Sequence, residues 1–317
     1  MISVHIEAGR VEIRDLPQPD HLEGFALLQL IVGGICNTDL ELQRGYYGFA
    51  GTPGHEFVGE VVSADTAALV GRRVVGEINL ACHTCSWCAH GLERHCPNRS
   101  VLGIVRQPGA FSEFFVLPEA NLRLVPDSLS TQAAVFTEPV AAACEILDQV
   151  AIPAGGRVAV LGDGKLGLLI AQVLQASGYC VHQFGRHKNK LRIAAARGVT
   201  TEIAGENLPE AEYEWVVEAT GSAAGLRAAV AMVQPRGTVI LKSTVHGEVP
   251  LDTAAVIVNE ITLIGSRCGR FEPALDLLER GVIDVESMVS GKFPLNRAPE
   301  AFARAAEAGV IKVLIEV

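Results

Sequence analysis

The chain has no apolar run near the about 18 residues that a membrane-spanning helix requires, which excludes a spanning protein. Aromatic residues make up 5% of its 317 residues, too few to build stacking platforms for single-stranded nucleic acid. Basic charge is also short. Lys and Arg number 26 against 36 Asp and Glu, a net charge of −10, with no basic tail or stripe. Nucleic acid is therefore not an expected partner, and neither is a membrane. No segment repeats and none is of low complexity. The first stretch, MISVHIEAGRVEIRD, alternates like a strand and lacks the pattern of a signal peptide. Four of the eight cysteines cluster. Without a leader, a reducing, cytoplasmic setting is expected, where clustered thiols mean metal rather than a disulfide framework. What is present is apolar content of 49%, enough for a large core, on a length that suits two domains.

The most informative stretch runs from Gly156 to Lys190. Arg157–Leu161 is a short β-branched run, and Gly162, Gly164 and Gly167 then give the spacing G-x-G-x-x-G. A helical pattern from Leu166 to Ala176 ends at Gly178, Tyr179–Phe184 reads as a second strand, and Lys165 and Leu166 join the glycines as expected cofactor-binding residues. The three glycines suit a tight turn, close approach of backbone to a pyrophosphate, and close helix–strand packing. The free N–H groups of the new helix then face the phosphates. An NAD site wants an acid about 20 residues further on, to hold the ribose 2′-OH. Between Lys165 and Thr201 there is none. The second strand ends at Gly185, followed by Arg186, His187, Lys188 and Lys190. A small residue followed by cations fits a 2′-phosphate, so NADP(H) is the expected cofactor. Some of these cations must also be solvated charges opening the next helix.

Residues 1–138 read as β-rich with Gly-rich turns, residues 139–265 as alternating strands and helices, and residues 266–317 as a return to the first domain. The alternation predicts a parallel sheet with helices on both faces. The expected class is α/β, a Rossmann doubly wound sheet joined to a β-rich domain. A short helix after Cys36 is expected to be capped by Asn37 or Thr38.

Cys82, Cys85, Cys88 and Cys96 have the spacing C-x2-C-x2-C-x7-C within a loop of about residues 81–99. Four thiolates on one loop form a closed tetrahedral site, suited to structural zinc. An iron–sulfur cluster and a pair of disulfides are the competing readings. Three further segments carry ligand chemistry: Gly34 to Asp39 around Cys36, Gly54-His55-Glu56, and Thr137-Glu138-Pro139. Together they offer a thiolate, an imidazole and carboxylates, which suits a catalytic zinc with an open position. Taken singly, Cys36 could be a small core residue and Glu138 an acid at a helix N-terminus.

These motifs, with GHEFVGEVV, FSEFFVLPEANLRLVPD, TEPVAAACEIL, VVEATGS and the closing IKVLIEV, resemble the zinc-containing medium-chain dehydrogenase/reductase superfamily, the alcohol dehydrogenase-like enzymes. The similarity covers nearly the whole chain and is nearest the sorbitol and threonine dehydrogenase branch, shortened. It implies a GroES-like catalytic domain, a Rossmann cofactor domain and an active site between them. It implies a homodimer or homotetramer and two zinc ions per chain. The activity implied is hydride exchange between NADP(H) and a small alcohol or carbonyl, as an alcohol dehydrogenase or an aldehyde or ketone reductase. By the resemblance, Cys36 and His55 ligate the catalytic zinc, Glu56 is a direct or alternating ligand, and Glu138 is a carboxylate at or near the metal. Thr38 fits the family's hydroxyl relay, and Glu41 occupies the next relay position, often His in relatives. Lys312 stands where relatives place a basic residue near the cofactor pyrophosphate; a solvated edge-strand lysine is the plainer reading. His83 replaces the usual glycine after the first lobe cysteine and is expected to alter that turn. Tyr46, Tyr47 and Phe49 line either a substrate cleft or a core. Two other activities compete: a zinc-independent quinone or enoyl reductase of the same superfamily, and a non-enzymatic NADPH-binding redox sensor.

Overall fold

A computed structural model describes residues 1–205, 207–244 and 248–317. In chain order, the first strands are β1 (Ile2–Glu7), β2 (Arg10–Asp15) and β3 (Phe25–Gly34), followed by helix α1 (Asn37–Gln43). Next come β4 (Phe57–Ser63), β5 (Arg73–Gly76), β6 (Asn79–Leu80), α2 (Ser86–Ala89), β7 (Ser100–Leu102), β8 (Arg106–Gln107), β9 (Phe114–Pro118) and β10 (Leu122–Leu124). Helices α3 (Thr131–Ala134) and α4 (Thr137–Gln149) lead to β11 (Arg157–Leu161), α5 (Lys165–Ala176), β12 (Cys180–Gly185), α6 (Lys188–Ala195) and β13 (Thr200–Ile203). Then follow β14 (Tyr213–Glu218), α7 (Ala223–Met232), β15 (Val233–Leu241), α8 (Thr253–Val258), β16 (Thr262–Gly265) and α9 (Phe271–Glu279). The chain closes with β17 (Val289–Pro294), α10 (Ala298–Ala305) and β18 (Lys312–Glu316).

The chain divides into two units, Met1–Glu138 with Met288–Val317, and Pro139–Ser287. The first unit holds a seven-stranded sheet in the order β10-β5-β4-β3-β18-β17, with β9 also paired to β3. It is antiparallel except for the β17–β18 pair. Its strands bury alternating positions such as Leu28, Leu30 and Val32 on β3, with Val58 opposite on β4. The second unit is a six-stranded parallel sheet in the order β13-β12-β11-β14-β15-β16. Numbered within the unit this is 3-2-1-4-5-6, a doubly wound sheet whose strand order reverses between β11 and β14. Its central strands are apolar on both faces: Val158, Ala159, Val160, Val216, Val217, Val239 and Ile240 are fully buried. Among the described residues no helix is long and apolar enough to cross a membrane.

The return to the first unit comes at Met288, later than the residue 266 expected from the loss of strand–helix alternation. The reason is a set of polar ties that periodicity does not reveal. The buried Lys242 donates to Ala142 O at 2.6 Å, Ser266 Oγ at 3.1 Å and Arg267 O at 3.0 Å. Gln172 of α5 accepts from Asp284 N at 2.7 Å and donates back to Asp284 O at 3.4 Å. Phe271, Ala274 and Leu278 bury the inner face of α9. Residues 266–287 are thereby held on the second unit. Lys242→Met strips the donors from three acceptors and should lower stability by about 2–4 kcal/mol. A thermal transition midpoint unchanged from wild type would contradict this account.

Candidate metal centres and cofactor site

Cys36 stands at the junction of β3 and α1 in extended conformation and caps that helix. It is the N-cap, where Asn37 or Thr38 was expected, because the third helical residue, Asp39, reaches back to accept from Cys36 N at 2.8 Å. Asp39 is fully buried and also accepts from Gly54 N at 3.2 Å. Its Oδ1 lies 3.4 Å from His55 Nδ1, an ion-pair distance too poorly aligned for a hydrogen bond. One carboxylate thus ties the Cys36 turn to the Gly54–His55 loop. Asp39 received no role in the sequence reading. The signal was there, an acid three residues after the cysteine, but it was read only as part of a ligand-bearing segment.

Cys36, His55 and Glu56 each offer a ligand atom, and those atoms lie within 4.8 Å of one another. Burial alone would lower the His55 pKa, but the charges of Asp39 and Cys36 hold it well above its ordinary value. A soft sulfur, an imidazole and a carboxylate around one buried point fit a divalent ion such as zinc. Asp39 is then the outer carboxylate that orients the ligating histidine. Glu138 does not join this group. It lies in the first turn of α4, half-buried, where an acid is also favoured by the helix dipole.

Lys312 is not the solvated edge-strand lysine of the plainer reading. β18 lies between β3 and β17, inside the sheet rather than at its edge. The Lys312 ammonium is buried and donates to Glu56 Oε2, and it sits 5.5 Å over the Phe136 ring. Burial would lower its pKa, but Glu56 overrides that and raises it. Lys312 is the charge partner of Glu56. Thr38 is half-buried, and Cys36 Sγ donates to its Oγ1 at 3.8 Å. Glu41 lies one turn further along α1, paired with Arg44 at 2.6 Å. Tyr47 and Phe49 line a cavity of about 840 Å³ with Val105 and Phe114, and Tyr46 stacks on Tyr47 at 4.1 Å. None of Cys36, His55 and Glu56 lines that cavity.

The second cysteine group is complete. Sγ of Cys85 is 3.5 Å from that of Cys88 and 3.7 Å from that of Cys96, and Cys96 and Cys82 are 3.4 Å apart. Sulfurs at about 2.3 Å from a tetrahedral zinc stand about 3.8 Å apart, so the four thiols fit that ion. No disulfide is formed, against one of the competing readings. A hydrogen bond from Thr84 draws the Cys82 pKa down to about 5, whereas burial pushes Cys88 up to about 12. His83 takes a left-handed φ of 54°, the backbone conformation a glycine favours, so the expected change of turn is not seen in its φ.

In the second unit, Gly162 has φ +128°, and a Cβ there would stand 2.4 Å from Ala219 O. A Cβ on Gly167 would meet Gly162 O at 2.5 Å. Gly164 faces open space, with nothing within 4 Å of such a Cβ, as the approach of a pyrophosphate requires. Gln183, fully buried on β12, donates to Gly162 O at 2.8 Å and braces the turn. Lys165 and Leu166 open α5 and are half-buried. Arg186, His187 and Lys188 are exposed just past β12. Gly185 does not leave an empty space: the Asp163 side chain packs over it, 2.5 Å from where a Cβ would stand. Asp163 Oδ2 accepts from His187 N at 2.6 Å and lies 3.0 Å from His187 Nδ1.

Comparison with known proteins accords with both units. Residues 23–127 match the alcohol dehydrogenase GroES-like domain, and residues 131–317 match the glucose dehydrogenase C-terminus. The chain belongs to the zinc-containing medium-chain dehydrogenase/reductase superfamily, a family of oxidoreductases. It is similar to D-arabitol-phosphate dehydrogenase of Enterococcus avium, 28% identical over 95% of this chain and 92% of that one. It is also similar to L-threonine 3-dehydrogenase of Saccharopolyspora erythraea, 29% identical over 98% and 96%. Among solved structures, a zinc-binding dehydrogenase from Sinorhizobium meliloti 1021 bound to NADP aligns with a TM-score of 0.91 at 28% identity, covering 100% of this chain and 99% of that one. An alcohol dehydrogenase from Thermus sp. ATN1 aligns with a TM-score of 0.90 at 29% identity over the full length of both.

Lys312 and Glu56 neutralise one another in the interior. Lys312→Met should destabilise the protein by about 3–5 kcal/mol, since it leaves a buried carboxylate without its partner. Adding Glu56→Gln should restore much of that loss in thermal denaturation. Equal Tm values for the single and double variants would show that the pair is not coupled.

Proposed function

We propose that this chain is a zinc-dependent dehydrogenase that exchanges a hydride between NADP(H) and a small alcohol or carbonyl compound. The observation that carries the reading is the convergence of Cys36, His55 and Glu56 on one buried point. Cys36 and His55 would hold the catalytic zinc, with Glu56 as a third donor when Lys312 releases it. Cys82, Cys85, Cys88 and Cys96 would hold a second, structural zinc. When bound, the catalytic ion supplies Lewis acidity, which lowers the pKa of a hydroxyl toward neutrality. Asp39 keeps His55 oriented. Thr38 is the first hydroxyl available to accept the alcohol proton, and Glu41 shares its helix face three residues on. Glu138 is not needed as a direct ligand in this account.

The glycine turn Gly162–Gly167 and the N-terminus of α5, at Lys165 and Leu166, would take the pyrophosphate. Arg186 has no hydrogen bond or ion pair among the described residues, and with Lys188 it provides positive charge for a 2′-phosphate. The NADP bound by the Sinorhizobium meliloti relative supports that choice. The small hydroxylated compounds named for the relatives, arabitol phosphate and threonine, support a small hydroxylated substrate here.

Metal analysis of the purified protein should give two zincs per chain. Cys36→Ser should leave one, with turnover lost and the fold kept. A single zinc in wild type would favour the zinc-independent reductase instead. Arg186→Ala should weaken NADPH roughly 10- to 100-fold in a fluorescence titration while leaving NADH nearly unchanged. NADPH binding without turnover across a panel of alcohols and aldehydes would favour the sensor.

A further inference from the structure

Asp163 lies in the glycine turn, but its side chain has no role in the function proposed above, and it is tightly held. It is 8% exposed. Its Oδ2 accepts from the His187 backbone N–H at 2.6 Å and faces His187 Nδ1 at 3.0 Å, and its Oδ1 lies 3.2 Å from the same ring nitrogen. Two acceptors facing Nδ1 place the ring proton on that atom. The side chain reaches His187 only by crossing Gly185, where any Cβ would collide with it. A glycine at the end of β12 is therefore required by Asp163.

The end of the second strand is where a dinucleotide fold reads the adenosine ribose. A carboxylate there holds the 2′-OH of NAD, and donors or cations there accommodate the 2′-phosphate of NADP. Arg186 satisfies the second condition. Asp163 satisfies the first, from an unusual direction, because it comes from the glycine turn rather than from the strand. It also occupies both donors of His187, the backbone N–H and the ring N–H, that a 2′-phosphate would otherwise take. Its charge has the same sign as the phosphate.

We propose that Asp163 is the cofactor-discriminating residue of this chain: it stands in for the ribose-reading acid, competes with the 2′-phosphate for His187, and limits the NADP(H) preference that Arg186 creates. NAD(H) and NADP(H) then bind with comparable affinity. The inference rests on the reading that the Gly162–Gly167 turn takes a nicotinamide dinucleotide. It changes what that reading says about selectivity.

The test is calorimetric titration of the full-length, zinc-loaded protein with 5′-AMP and with 2′,5′-ADP (adenosine 2′,5′-bisphosphate), two fragments that differ only by the 2′-phosphate. Neither requires catalysis. Asp163→Asn removes the charge and keeps an acceptor for the His187 N–H, so the turn should stay closed. It should tighten 2′,5′-ADP roughly 10-fold and leave 5′-AMP unchanged or weaker. Asp163→Ser, which also frees the His187 ring, should move the ratio the same way. A merely structural role would weaken both fragments together in both variants, and that result overturns the proposal, as does an unchanged ratio. Failure of the cofactor reading looks different: wild type would bind neither fragment, and the proposal falls with it. Arg186→Ala, run alongside, should lower 2′,5′-ADP affinity alone. The Asp163 ratio decides the proposal whatever Arg186 contributes.

Discussion

The candidate metal site depends on one buried carboxylate. Asp39 binds the backbone of Cys36 and of Gly54 and faces the ring of His55. Cys36 and His55 sit just beyond the end of the β3–β4 ladder, where Gly33 pairs with Phe57 and Gly34 N donates to Glu56 O at 2.8 Å. Past that last rung the side chains are free of the ladder, and Asp39 sets the remaining distance between the thiol and the imidazole. A carboxylate with no exposure is costly to bury unless it is hydrogen-bonded and charge-compensated. Here the compensation comes from two N–H donors and from a histidine whose proton is held by that same charge. A metal at this point would replace the proton while the carboxylate stays where it is.

A second buried charge pair lies beside the first. Glu56 and Lys312 come from opposite ends of the chain, and each is nearly inaccessible to solvent. Such pairs contribute less to net stability than to uniqueness of the arrangement, because any alternative packing leaves a bare charge in the interior. Here the pair fixes which strand closes the first unit's sheet. The cysteine lobe works by different means. It has little core of its own, and its four sulfurs already stand near the spacing of a loaded tetrahedron.

Much of the architecture was legible in the residues. The parallel sheet shows as apolar runs such as Arg157–Leu161 and Trp215–Val217, because strands covered on both faces have no polar side. The glycine turn and the four-cysteine spacing are local patterns, and local patterns survive in a sequence. What was not legible depends on groups far apart in the chain. The burial of Lys312 follows from the pairing of β18 with β3, which periodicity does not specify. The boundary at Met288 follows from Lys242 and Gln172 reaching across to other segments. Glu138 is placed at or near the metal by the resemblance alone, and its ligand atom lies outside the group that Cys36, His55 and Glu56 form. Asp163 was overlooked because the search for an acid began after the glycine motif, and the acid lies inside it.

The first unit is interrupted by the second, and this has a consequence for synthesis. Gly34 of β3 pairs with Leu314 of β18, so the Val32–Gly34 end of β3, beyond the reach of β9, stays unpaired on one side until the ribosome has passed residue 314. At about 5–20 residues per second, that wait is on the order of 15–60 s. During it the parallel sheet, whose strands are contiguous in the chain, has time to fold alone. The β-rich unit must meanwhile carry an open apolar edge, and its candidate metal site waits for the lysine that neutralises Glu56. The nascent chain is thus most exposed to mispairing just before its last strand arrives.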